Sequence, residues 1–190
     1  MQLVLSTRRG SSRDQEEEDP QLVSGGRCFF CGFEDNTVRA IGSRLAESFC
    51  HACLSLADFQ GKGNVIYLPN VPQADFNLFI RTLFVALVYG DEEQQKEAAD
   101  MYHRLLSLGA PVKKIWSTQD AGLLGLALER IDADTYQKRV KTLRGLLFMP
   151  LPKMLSREQV SRWLQDVFSE NHGLAPKNWR LVFLNFFIGK

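Results

Sequence analysis

The chain has few histidines, little net charge and no long apolar run. Three histidines among 190 residues provide little material for acid–base catalysis. The net charge of +1 argues against a nucleic-acid partner held mainly by electrostatic attraction. The longest apolar stretch, 76–88, is interrupted by Asn77, Arg81 and Thr82, and it is shorter than the roughly 18–20 residues that span a bilayer. We therefore expect a soluble protein without direct membrane insertion.

Catalytic and targeting motifs are also missing. No G-x-S-x-G, P-loop or dinucleotide fingerprint occurs. His103 and His172 have no neighbouring carboxylate at a spacing that indicates a relay, and Ser117 and Ser156 are explained as helix caps. The opening residues contain no apolar core long enough for a signal peptide. These absences predict a cytoplasmic protein that is not an enzyme.

All four cysteines lie in one stretch, as two C-x2-C pairs separated by eighteen residues. Zinc prefers four soft ligands at tetrahedral corners, and this spacing is typical of a zinc site. The sequence therefore predicts one structural Zn²⁺ with four thiolate ligands: Cys28, Cys31, Cys50 and Cys53. Four thiolates saturate the metal, so hydrolysis at this ion is not expected.

Other interpretations of the cysteines are weaker. Two disulfides require an oxidising compartment, which the missing secretory signal disfavours. A redox role requires a C-x2-C pair in a βαβ unit, and neither pair has that context. His51, inside the second pair, could replace a cysteine, but four thiolates already suffice.

The cysteine pairs define a predicted zinc module over residues 1–70, with a charged N-terminal segment. A short strand is possible at Leu3 to Ser6, and the basic patch and acidic run that follow suit a solvated segment. Between the pairs we predict a turn at Glu34–Asn36 and a strand from Thr37 to Ile41. A short helix from Leu54 to Phe59 and a strand from Val65 to Leu68 complete a treble-clef arrangement of knuckle, hairpin and helix.

Residues 71–190 predict a module of five helices. The first begins at Asp75 and is apolar nearly all round, which places it at the centre. The second starts at Asp91, and the third is predicted behind a capping box of Ser117 and Asp120. The fourth is predicted over 134–148, and Ser156 caps the fifth. The fold class is therefore α+β, mainly α.

Two further surfaces are left open by the sequence. The exposed face of the fourth predicted helix carries Lys138, Lys141 and Arg144, which fits a solvated surface better than phosphate contacts because no aromatic residues interleave it. The tail from Trp179 to Ile188 is nearly continuous apolar residues and could be a strand, a helix or a docking segment.

The cysteine module resembles the scaffold of the HNH (ββα-metal) nucleases, which carry a structural zinc between paired C-x2-C motifs. Those enzymes hold a catalytic metal with histidines on the intervening hairpin and on the following helix. Residues 32–49 contain no histidine here, so the resemblance implies a scaffold without its general base.

Over its whole length the chain is similar to the IcmJ (DotN) component of Dot/Icm type IVB secretion systems. The matching stretches include CFFCGF, SFCHACL, GNVIYLPNVPQADFNLFIRTLFVAL and PVKKIWSTQDAGLLGLAL. The resemblance implies a non-enzymatic adaptor subunit that binds the C-terminal extension of the coupling ATPase (DotL-like), alongside IcmS–IcmW-type adaptors. It implies a cytoplasmic protein, peripheral to the inner membrane, that helps to recruit effectors.

Two alternatives remain at this point. An HNH-like nuclease would nick plasmid in a metal-dependent manner, and a nucleic-acid-binding zinc protein would lose affinity steeply with salt. The missing histidines disfavour the first, and the near-neutral charge disfavours the second.

Overall fold

A computed structural model describes residues 3–7, 22–41, 44–165, 175–178, 180, 181 and 184. The predicted class, α+β and mainly α, is confirmed. The strands are β1 (Leu22–Arg27), β2 (Glu34–Ile41), β3 (Arg44–Ala46), β4 (Gly63–Tyr67) and β5 (Leu146–Pro150). The helices are α1 (Ser48–Leu54), α2 (Gln73–Tyr89), α3 (Glu92–Ser107), α4 (Ala110–Trp116), α5 (Ala121–Arg130), α6 (Ala133–Gln137), α7 (Arg139–Thr142) and α8 (Arg157–Gln165).

The first sheet is antiparallel, in the order β1-β2-β3, and leads directly into α1. The first cysteine pair forms the tight connection between β1 and β2, where Cys28 N donates to Phe33 O at 2.8 Å. The predicted order of knuckle, hairpin and helix is therefore present. The predicted turn at Glu34–Asn36 is wrong, because the chain already reverses in the knuckle and these residues pair with β1.

Helix α2 lies at the centre of a hydrophobic core, as its sequence predicts. Phe76, Ile80 and Leu83 are fully buried, and partners from α3, β5 and α8 surround the helix. Helix α3 begins with a capping box. The Asp91 side chain accepts from Gln94 N at 2.8 Å, and the Gln94 side chain accepts from Asp91 N. This cap satisfies two backbone donors and fixes the turn between the two longest helices.

The predicted helix over 134–148 is wrong. Two short helices, α6 and α7, occupy its first half, and Gly145 at φ +81° ends the helical path. The chain then becomes β5, which pairs antiparallel with β4 and places Phe148 opposite Val65. A run of consecutive apolar residues, 146–149, suits a strand buried on both faces, and helical spacing alone did not distinguish the two.

Helix α4 lies between the second and third predicted helices and has no counterpart among the five. Pro111 lies in the first turn of this helix, where the missing N–H costs no hydrogen bond. Ser117 therefore ends α4, with φ +62°, and does not form the predicted capping box. Asp120 caps α5 by itself, accepting from Leu123 N at 2.9 Å. The described part of 71–190 thus holds seven helices where five were predicted.

The other predicted elements agree more closely. Gln159 N donates to Ser156 Oγ at 3.2 Å at the start of α8, which confirms the predicted cap. The helix predicted from Leu54 to Phe59 is instead the end of α1 followed by a 3-10 turn at Leu56–Phe59. Leu3 to Ser6 forms no named strand, yet Ser6 N donates to Cys53 O at 2.8 Å and Leu3 is buried.

Several expectations fall on parts of the chain outside the described residues. These are the basic patch and acidic run of the N-terminal segment, His172, and most of 179–188, including Phe183 and Phe187. Within the tail, Arg180, Leu181 and Leu184 are helical and exposed. The division into modules 1–70 and 71–190 stays a prediction. None of the described helices has the length and apolar character that crossing a membrane requires.

Candidate metal centre

Three of the predicted ligands converge at one point. The Sγ atoms of Cys28, Cys31 and Cys50 and a carboxylate oxygen of Glu47 all lie within 4.8 Å of one another. The first two thiols come from the connection between β1 and β2, and Cys50 lies in the first turn of α1. Two segments that are distant in sequence therefore bring soft ligands together.

Glu47 fixes the start of α1. It is the N-cap residue, and its two oxygens accept from Phe49 N and Cys50 N, each at 2.7 Å. These bonds satisfy two backbone donors that a helix start otherwise leaves without partners. They also hold Cys50 in the first turn of α1, at the end of the helix that faces the first cysteine pair.

Arg81 on α2 forms a fully buried ion pair with Glu47. Its Nη1 lies 3.9 Å from Cys31 Sγ, and its Cζ lies 4.1 Å from the ring centroid of Phe33. Nη2 makes the contact with the Glu47 carboxylate, and Nε has no hydrogen-bond partner among the described residues. Burial lowers the pKa of Arg81, but the negative charges of Glu47 and Cys31 outweigh burial and raise it above its ordinary value. A permanent cation therefore lies beside the thiols.

A chain of side-chain amides connects the centre to β5. Asn77 Nδ2 donates to Cys50 Sγ at 3.2 Å, and Asn77 Oδ1 accepts from Gln73 Nε2 at 2.8 Å. Gln73 also accepts from Phe148 N at 2.7 Å and donates to Phe148 O at 3.1 Å. Because buried amides are costly when unpaired, this chain holds α2, β5 and the cysteine cluster in one arrangement.

Hydrogen bonds among the three thiols shift their pKa values in different directions. Hydrogen bonding with Cys31 and then Cys50 lowers the pKa of Cys28 to about 2, against burial. The bond to Cys28 raises the pKa of Cys31 to about 12, and bonds to Cys28 and Cys31, with burial, raise that of Cys50. A metal ion deprotonates coordinating thiols outright.

The donor set fits zinc. A Zn–S distance of about 2.3 Å in a tetrahedron places sulfurs about 3.8 Å apart, and the cluster lies within the 4.8 Å span given above. Three soft thiols and one carboxylate or fourth thiol would fill the coordination sphere and leave no open position for substrate. The arrangement could hold a metal as a structural crosslink between the knuckle and α1.

Cys53 and His51 lie outside the group of converging ligand atoms. Cys53 is fully buried but outside the group of converging atoms, and its thiol donates to Phe49 O at 3.1 Å, in its own helix. Its role as the fourth ligand stays a prediction. His51 is also outside the group, and its Nδ1 lies 3.4 Å from Ser55 Oγ.

The sequence interpretation missed the residues that surround the thiols. Of these, Asn77 and Arg81 gave a detectable signal, because they are polar positions inside a mostly apolar central helix. A polar residue on a helix that is buried all round needs a buried partner. This rule could have predicted that the two residues have buried partners, but not which residues those are.

The remaining predicted functional positions are peripheral. Lys138, Lys141 and Arg144 are exposed on and beside α6 and α7, in agreement with the solvated surface that was predicted. His103 is exposed on α3, and its ring packs edge-on against Tyr102.

No family model matches the chain. Comparison with curated proteins finds similarity to "Type 4 apparatus protein DotN" of Legionella pneumophila subsp. pneumophila strain Philadelphia 1. The two sequences are 23% identical over 162 residues, and the match covers 75% of each chain. The similarity therefore extends well beyond the cysteine pairs.

Proposed function

We propose that this protein is a non-enzymatic structural subunit of a Dot/Icm type IVB secretion apparatus. The observation that carries the proposal is the similarity to the type 4 apparatus protein DotN over three quarters of both chains. In this role the chain binds the C-terminal extension of the coupling ATPase, beside IcmS–IcmW-type adaptors, and helps to recruit effectors. It works on the cytoplasmic side of the inner membrane through that ATPase.

The metal centre supports a structural role. Cys28, Glu47 and Cys50 have almost no exposed surface, and Cys31 is half-buried. A closed site of this kind contributes folding free energy to a segment that is too short to bury a core of its own. One Zn²⁺ per chain, held by Cys28, Cys31, Cys50 and Cys53, is the composition that we propose.

The alternative of an HNH-like nuclease is not favoured. The hairpin of β2 and β3 lies between the cysteine pairs, where those enzymes carry their catalytic histidines, and residues 32–49 contain none.

The decisive experiment is co-purification with the C-terminal segment of the coupling ATPase, followed by metal analysis. We expect a stoichiometric complex with one zinc per chain. A folded, zinc-loaded chain that does not bind the segment would refute the proposed function. Metal-dependent plasmid nicking by the pure protein would revive the nuclease, with an Asn77→Leu variant as the control for contaminating activity.

A further inference from the structure

An apolar cavity of about 120 Å³ lies between α4, α5 and the α6–α7 segment. Trp116, Leu128, Ile131 and Leu143 form its walls, and no described residue of the metal cluster lines it. For comparison, an engineered cavity of about 150 Å³ in another protein holds benzene. The cavity therefore has room for one aliphatic or aromatic side chain.

One charged residue lines this apolar space. Arg139 is among the residues around the cavity, and its Nε is buried without a hydrogen-bond partner among the described residues. Its Nη1 donates to Tyr136 O at 3.2 Å, and its Cζ lies 4.2 Å from the Tyr136 ring centroid. A buried guanidinium N–H without an acceptor is costly, and an incoming carboxylate would satisfy it with a charge-assisted bond.

The elements around the cavity are basic. Residues 110–145 contain seven Lys or Arg and four Asp or Glu, an excess of three positive charges in a chain whose total is +1. Three of the four acids are engaged locally: Asp120 by Gly61 N, Glu129 by Thr7 Oγ1, and Asp132 by Thr135. None of the seven cations forms an ion pair with another described residue.

We propose that this cavity is a docking site for an acidic segment of a partner polypeptide. The segment inserts one apolar side chain between Trp116 and Leu128 and places a carboxylate on Arg139. Charge complementarity with the surrounding lysines steers its approach and fixes its orientation. This inference extends the proposed function. It rests on that function in one respect only, which is that the chain has a polypeptide partner.

The test is selection of random short peptides displayed on phage against the immobilised, zinc-loaded full chain. Ala127 and Thr142 line the cavity but are exposed, so Ala127→Phe and Thr142→Phe narrow its mouth without disturbing buried packing. We expect the enriched peptides to combine acidic residues with one large apolar residue. Their affinity should fall about tenfold or more in either Phe variant and in Arg139→Gln.

Lys96→Gln provides the matched control, because it removes one exposed positive charge on α3 and leaves the cavity unchanged. Its peptide affinity should equal that of the wild type. The proposal would be overturned if no peptides were enriched. It would also be overturned if the enriched peptides bound all three cavity variants with the affinity of the wild type. Self-association that is lost in Arg139→Gln would assign the cavity to a second copy of the chain and would also overturn it.

The same variants separate this inference from the proposed function. If the coupling ATPase segment binds the wild type and the Ala127→Phe variant equally, the function stands and the docking site is rejected. If selected acidic peptides bind in the cavity but the ATPase segment does not bind the chain, the docking site stands and the proposed function is rejected.

Discussion

Asn77, in the second turn of α2, donates a hydrogen bond to the sulfur of Cys50 over 3.2 Å. One turn further along the same helix, Arg81 approaches Cys31 and pairs with Glu47. The central helix therefore presents a neutral donor and a cation to two different thiols of the cluster. Because hydrogen bonds and nearby positive charge both stabilise thiolates, formation of the metal centre and packing of α2 are energetically coupled.

The buried ion pair of Arg81 and Glu47 gives the first prediction. Replacing Arg81 by Met leaves a buried carboxylate without its cation, so we expect a loss of about 3–5 kcal/mol in the free energy of unfolding. The double variant Glu47→Gln/Arg81→Met removes both charges and should be more stable than Arg81→Met alone. Urea unfolding of the zinc-loaded proteins measures both values. Strictly additive effects of the two substitutions would show that the charges do not interact.

The contact between α5 and the 3-10 turn gives the second prediction. A Cβ on Gly125 would lie 2.2 Å from the backbone nitrogen of Ala57. Helix propensity alone predicts that Gly125→Ala stabilises the protein by up to about 1 kcal/mol. The steric conflict with backbone atoms instead predicts destabilisation by about 1–3 kcal/mol. Thermal unfolding decides the sign, and Leu123→Ala on the exposed side of α5 controls for general effects of substitution in this helix.

The sequence predicted the parts of this fold that depend on local chemistry. The spacing of the cysteines predicted the cluster of Cys28, Cys31 and Cys50, and the apolar pattern predicted α2. The prediction failed where one sequence pattern fits two structures. Leu143 and Leu147 have helical spacing, but Leu147 belongs to β5, a strand that pairs with β4 from a distant part of the chain. Local sequence contains no information on that pairing.

The residues around the thiols could also be predicted only in part from the sequence. Arg81 interrupts an apolar helix, which indicates that it needs a buried partner. Nothing local identifies that partner as Glu47, which acts as a helix cap on a different segment. The polar residues were visible in the sequence, whereas their pairing is a property of the fold.

The contact of Arg180 with α3 gives a prediction of pH dependence. Arg180 bonds Glu97 and also Glu93, at 2.7 Å, and its hydrogen bond lowers the pKa of Glu97 below the ordinary value of 4.5. Because the pKa is lowered, the contact is fully present at neutral pH and is lost as the pH falls through that lowered value. We expect the amides of Arg180 and Leu181 to lose protection from exchange as the solution is acidified, before global unfolding.

Arg180→Ala should show the same loss of protection at neutral pH, whereas Lys177→Ala, an exposed neighbour, should not. Protection around position 180 that persists in Arg180→Ala would mean that the ion pairs do not hold the tail. Added salt should mimic acid in part, since the groups are largely exposed and therefore screened.

The fourth zinc ligand gives the last prediction. Both Glu47 oxygens are already used by the backbone of α1 and by Arg81. The Cys53 thiol, by contrast, bonds a carbonyl of its own helix and lies near the Asn77 amide. A thiol is a weak hydrogen-bond donor, so exchanging this bond for a metal bond costs little. We therefore expect Cys53→Ala to lose zinc, and Glu47→Gln to keep one zinc but unfold at lower urea. Zinc X-ray absorption of the wild type should show four sulfur ligands.

His51→Gln is the control, because position 51 lies between the two cysteines of the same helix and outside the converging group. It should retain zinc with an unchanged absorption spectrum. The opposite result, in which Glu47→Gln loses zinc, Cys53→Ala keeps it and the spectrum shows three sulfurs and one oxygen, would make the carboxylate the fourth ligand. The helix cap would then depend on the metal, since one Glu47 oxygen would have to leave the backbone of α1 to reach it.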